Sequence, residues 1–152
     1  MAEFEVVRRV VVSAEPAHIH ALIDSFREWT KWSPWEDLDP ELQRTYSGAA
    51  SGVGAHYAWS GNRKAGAGNM EIVSDAEREI GIRLEFRKPF KATNHVDFEL
   101  NPTESGATEV VWRMTGQQQG LMALLGKVIS MDRLVGKDFE KGLTRLKEAA
   151  EA

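Results

Sequence analysis

The chain has 152 residues, 42% of them hydrophobic, and no cysteine, which suits one domain able to bury about 70% of its unfolded surface without disulfides. A net charge of −4 with dispersed basic residues lacks the electrostatic footprint of a nucleic-acid binder. The longest weakly polar run, Gly120 to Gly126, is far short of the roughly 20 residues that span a bilayer, so no stable membrane insertion is expected.

Taken in chain order, Phe4 to Ser13 alternates around Val6, Val10 and Val12 in one phase, or Val7 and Val11 in the other. It reads as a strand whose inward face is open. Glu3, Glu5, Arg8 and Arg9 within this stretch argue against a signal peptide, and a cytoplasmic protein is the expectation. Ser13 to Pro16 supplies a helix start, a capping hydroxyl followed by a proline in the first turn. Ile19, Leu22, Ile23 and Phe26 follow at helical spacing. Trp29 to Pro40, with Trp32, Pro34 and Trp35 inside it, reads as an ordered connection, because such aromatic density would be wasted in a solvated linker.

Turn residues then separate apolar alternations over Leu42–Ser47, Ala55–Ser60, Gly68–Asp75, Glu79–Arg87, Thr93–Leu100 and Thr108–Thr115. One phase holds Tyr57 and Trp59, Met70 and Ile72, Leu84 and Phe86, Val96 and Phe98, Trp112 and Met114; the other is mostly charged. A sheet with one apolar and one wetted face is antiparallel by habit, and Asn101 to Gly106 suits a hairpin loop. From about Gly120 to Ala152 one amphipathic helix is expected, roughly 45 Å long. Leu121, Leu125, Val128, Val135, Phe139, Leu143 and Leu146 fall on one face, and Asp132 falls within it. The order of one strand, two short helical pieces, six strands and a long helix predicts an α+β fold. A curved seven-stranded antiparallel sheet wraps around the C-terminal helix, in a single domain over 1–152.

Several chemistries are excluded by spacing. The four histidines, His18, His20, His56 and His95, form no helical His-x3-His pair, and no cysteine joins them, so no metal site and no cofactor are expected. Five residues separate Gly120 from Gly126, one too many for a phosphate loop, and Lys127 is followed by valine instead of serine or threonine. Gly66-Ala67-Gly68 leads into a strand and so lacks the helix of a dinucleotide loop. No Gly-x-Ser-x-Gly elbow occurs. Arg87, Lys88 and Lys91 around Phe90 form a basic, aromatic-tipped turn, read as a solvated hairpin end, with transient membrane or lipid contact as the alternative.

Ala14-Glu15-Pro16, Trp32-Ser33-Pro34-Trp35, Gly54 with Tyr57, Trp59 and Gly61, Lys88-Pro89-Phe90-Lys91, and Met131-Asp132 followed by Gly136 to Leu143 together resemble the polyketide cyclase/dehydrase branch of the START-like (SRPBCC) superfamily. The resemblance covers nearly the whole chain. It implies a helix-grip fold around an apolar cavity, without implying one reaction, since fold does not settle function.

Set against that fold, the cavity is expected to be lined by Trp32, Trp35, Tyr57, Trp59, Met70, Phe86, Asn94, Phe98, Trp112, Val128, Asp132 and Val135. A carboxylate buried alone is costly, so Asp132 either binds an indole N–H or an arginine and orients the helix, or serves as a polar anchor or acid/base in the cavity. Trp32 to Trp35 form either a structural plug or a lid, and any buried indole needs a partner for its N–H. Gly126, Gly136 and Gly142 each cost a helix about 1 kcal/mol, which points to a compensating close approach. The leading functional expectation is a small hydrophobic or aromatic ligand, lipid- or polyketide-like, held between sheet and helix. A cyclase, dehydrase or aromatase using Asp132, and a co-chaperone-like interaction module, are the alternatives. The oligomeric state, monomer or homodimer, is open.

Overall fold

The computed structural model describes residues 3–88, 91–117 and 131–152. In chain order these form β1 (Glu3–Val12), α1 (Pro16–Ile23), a 3-10 turn (Glu28–Lys31), β2 (Gln43–Gly48), β3 (Ala55–Ser60), β4 (Ala67–Ala76), β5 (Glu79–Lys88), β6 (Ala92–Pro102), β7 (Thr108–Gln117) and α2 (Met131–Glu151). One seven-stranded sheet runs in the order β1-β7-β6-β5-β4-β3-β2, and every neighbouring pair is antiparallel. The strands from β2 to β7 therefore follow one another as a meander, and β1 closes on β7 from the far end of the sequence.

Period-two alternation sorts the sheet faces as expected. Ile72, Ile82, Val96, Phe98, Val110 and Trp112 are buried on the inner face. On the outer face Arg83 donates to Glu71 at 3.0 Å and Glu85 at 2.8 Å, and Arg113 pairs with Glu99 and Glu5. The phase of β1 is decided by packing: Val6 and Val12 are buried, whereas Val11 is 51% exposed. Arg8 therefore shares the inward phase.

The start of α1 differs from expectation. Its N-cap is Glu15, with no side-chain cap bond, and the Ser13 backbone N–H instead donates to Glu151 at 2.7 Å. Proline in the first turn holds, because its missing N–H is one the helix leaves unpaired anyway. At the other end, carbonyls left free by the last helical turn need donors. Two indoles supply them: Trp29 Nε1 donates to the Ile23 carbonyl at 2.7 Å and Trp32 Nε1 to that of Leu22 at 2.8 Å. Tryptophans following an amphipathic helix thus double as its C-terminal cap and as core.

Phe139, Leu143, Leu146 and Ala150 of α2 are buried against the sheet. Trp112 stacks on Phe139 with ring centroids 4.0 Å apart and on Phe98 at 5.0 Å. A Cβ at position 142 would lie 2.8 Å from the Trp112 ring and 2.9 Å from Pro34, so Gly142 permits the helix to sit this close. Residues 120–130 of the expected helix, with Leu121, Leu125, Gly126 and Val128, lie outside the described residues, as do Pro89 and Phe90 of the basic turn.

Candidate ligand cavity

A cavity of about 200 Å³ opens between the inner sheet face, the segment 26–42 and the first turns of α2. The sheet contributes Tyr57, Trp59, Met70, Leu84, Phe86 and Met114, and the opposite wall Phe26, Trp29, Trp35, Leu38 and Leu42. From α2 come Val135 and Asp138; Ser33, Glu36 and Lys64 add polar groups.

Local sequence explains the aromatic wall. Trp59 pairs in register with Gly68, where a Cβ would come within 2.7 Å of the indole ring and 2.3 Å of the Glu85 carbonyl. Glycine there lets the indole lie across β4, and its Nε1 donates to the Ala65 carbonyl at 2.9 Å. Tyr57 stacks beside Trp59 at 6.0 Å and leans on Tyr46 at 5.2 Å. Burial, with the Glu36 charge nearby, pushes the Tyr57 phenol up to about 12, so it stays protonated and keeps an O–H to donate.

The wall built by residues 33–37 is tied to α2. Trp35 Nε1 donates to Asp138 Oδ2 at 3.1 Å, while Arg145 donates to the Ser33 carbonyl at 3.0 Å and to Asp37 at 2.6 Å. Asp138 is thus the carboxylate that α2 presents at the cavity. Glu36, the other carboxylate on the wall, pairs with Arg44 at 2.5 Å.

Asp132 lies elsewhere. Its side chain is 55% exposed, and both carboxylate oxygens accept from Arg8, at 2.8 and 2.9 Å. Arg8 also donates to Glu140 at 2.9 Å, and its guanidinium occupies the space where a Cβ of residue 136 would stand, 2.1 Å away. The hydrogen bonds from Arg8 hold the Asp132 carboxyl below its ordinary range. Helical angle alone put this acid in the apolar stripe. The core, however, takes up the stripe from Phe139 onward, and two turns earlier the same face meets an arginine on the inward phase of edge strand β1. Asp132 therefore faces Arg8 and is not among the described residues that line the cavity.

Of the other expected lining residues, Trp35, Tyr57, Trp59, Met70, Phe86 and Val135 stand on the cavity wall. Trp32, Phe98 and Trp112 do not; they are fully packed core, each at most 1% exposed, so Trp32 is a plug. Asn94 is buried on the inner face at the strand end and donates to Met114 Sδ at 3.7 Å instead of facing the cavity. Val128 lies outside the described residues. Four of the tryptophans bond through their N–H as expected, but the buried Trp112 Nε1 and Asn94 Oδ1 have no hydrogen-bond partner among the described residues.

A family model described as polyketide cyclase / dehydrase and lipid transport matches residues 3–151. The chain belongs to that family. No curated protein matches it. Among solved structures, protein CV1439 from Chromobacterium violaceum superposes with a TM-score of 0.68 at 14% identity, covering 97% of this chain and 98% of that one. TTHA0849 from Thermus thermophilus reaches 0.67 at 16%, covering 97% of each chain, and the Aha1 dimer from Colwellia psychrerythraea 0.61 at 16%, covering 97% and 96%. Identities this low report the shared helix-grip fold. Within the polyketide cyclase / dehydrase and lipid transport family, the wall residues missed by sequence reading are chiefly Phe26, Trp29, Leu84, Met114, Glu36 and Asp138. Phe26 carried a signal, as the last member of the α1 stripe with no helix left to bury it; Asp138 carried none, being one acid among many on a charged helix face. No helix of the described residues is long and apolar enough to cross a membrane.

Proposed function

We propose that the protein binds one small hydrophobic or aromatic molecule in the cavity between β3–β5 and α2. The observation that supports this reading is a wall of aromatic and thioether side chains interrupted by few polar groups, the make-up of ligand sites in general. Size narrows the class. An engineered apolar cavity of about 150 Å³ accommodates benzene, so about 200 Å³ suits a single ring with a short substituent, or a short acyl chain, better than a long polyketide. Polar contacts would come from the Tyr57 hydroxyl as donor and from the Asp138 carboxylate as acceptor. Titration with p-cresol and with a short-chain fatty acid, followed through the Met70 and Met114 methyl resonances and tryptophan fluorescence, tests it: saturable shifts at these methyls are expected. Absence of saturable binding by any single-ring or short-chain probe would overturn the reading.

A reaction of cyclase or dehydrase type is the second reading, favoured by a carboxylate on the apolar wall. That role falls to Asp138, since Asp132 faces Arg8. It requires a molecule bound by the wild type to be released chemically changed, and Asp138→Asn to abolish that conversion while still taking the molecule up, at altered affinity.

A further inference from the structure

Away from the cavity, His20 and Asp24, one helical turn apart on α1 and its C-cap, face Asp75 at the end of β4. His20 Nε2 lies 2.6 Å from Asp75 Oδ1 and 3.0 Å from the Ala76 carbonyl, and His20 Nδ1 lies 3.5 Å from Asp24 Oδ2. One imidazole nitrogen and one oxygen from each carboxylate fall within 4.8 Å of one another, the only such set among the described residues. All three side chains are recessed, at 13–19% exposure, yet still reachable by solvent. No lysine or arginine pairs with either acid among the described residues; their ion pairs are with His20 alone. This differs from Glu71, Glu85, Glu99 and Glu5 on the sheet's outer face, which Arg83 and Arg113 neutralise. Beside Asp75 the loop has no side chain either: a Cβ at Gly52 would stand 3.1 Å from Asp75 Oδ2, so glycine leaves a gap next to the oxygen.

From this convergence we infer that His20, Asp24 and Asp75 form a binding site for a divalent transition metal of the zinc class. Zn²⁺ takes histidine nitrogen and carboxylate oxygen at about 2.0–2.2 Å in tetrahedral geometry, which places neighbouring donors roughly 3.3 Å apart; Asp75 faces Nε2 and Asp24 faces Nδ1, so an ion on one nitrogen requires the other acid to rotate toward it, from a set whose ligand atoms already lie within 4.8 Å of one another. Two carboxylates and a neutral imidazole match a 2+ charge, and water or the Ala76 carbonyl completes the coordination. The imidazole selects against Mg²⁺ and Ca²⁺, which take oxygen ligands. The sequence did not show the set, because only the i, i+4 pair is local; Asp75 arrives through the fold. Bound metal would staple α1 to β4, since a ligand that binds only the folded state raises its stability.

The test uses the full chain, stripped with a chelator and titrated with ZnCl₂ by calorimetry, and with CoCl₂ by visible absorption. One equivalent of Zn²⁺, tetrahedral cobalt bands and a metal-dependent rise in Tm are expected, with His20→Gln and Asp75→Asn each weakening uptake more than about tenfold. His18→Gln, at a neighbouring histidine outside the set, should bind as the wild type does. Failure of the folded wild-type protein to take up Zn²⁺ would overturn the inference, whatever the variants do. So would equal uptake by a folded His20→Gln protein.

Discussion

Asp132 and Asp138 share one helix and one charge but meet different surroundings. Asp132 is held by an arginine of edge strand β1, and Asp138 by an indole at the cavity. Asp132→Asn is therefore expected to change ligand affinity less than about twofold, within about 0.5 kcal/mol, while Asp138→Asn alters it measurably; parallel calorimetric titrations check both. The Arg8 contact also predicts an acid dependence. Because the folded carboxyl of Asp132 sits below its ordinary value of 3.8, the unfolded chain takes up the proton first as pH falls. The stabilisation is full above that ordinary value and is lost as pH drops through the depressed folded one. Asp37 beside Arg145, and Glu151 beside Lys147, act in the same direction. Chemical denaturation at pH 6 and pH 3 should show wild type losing more stability than Asp132→Asn over that interval.

Among the elements, α2 does the most to place the cavity, since one flank clasps β1 through Arg8 and the other clasps residues 33–37 through Asp138 and Arg145. Gly136 and Gly142 make both approaches possible, and they differ in what a side chain would meet. At 136 the obstacle is a guanidinium at the end of a flexible chain; at 142 it is two rings, of Trp112 and Pro34. An exposed helical Gly→Ala change gains about 1 kcal/mol. Gly142→Ala should reverse that sign and destabilise by about 1–3 kcal/mol, the usual cost of overpacking, read from the shift in denaturation midpoint. The glycine spacing in the sequence announced close approach without naming the partner, because the partners are brought in from 34, 112 and 8, far along the chain.

For the whole molecule, ligand uptake and stability are linked. A probe at a hundredfold excess over its Kd should raise stability by about 2.7 kcal/mol, visible as a higher Tm. Val135, half-buried on the helix side of the cavity, is the place to fill it: Val135→Phe should leave the fold intact and weaken binding at least about tenfold, or 1.4 kcal/mol. The sequence by itself determined the strands, the amphipathic helices and their order, and with them the helix-grip architecture, because alternation and helical spacing are local periodicities that survive reading one residue at a time. Tertiary structure alone decided which acid the cavity sees, which tryptophans are core and which are wall, and that His20 and Asp24 meet Asp75. A helical wheel gives the angle of a side chain about its axis, but its environment depends also on its depth along that axis and on which strand lies opposite, and the sheet sets both.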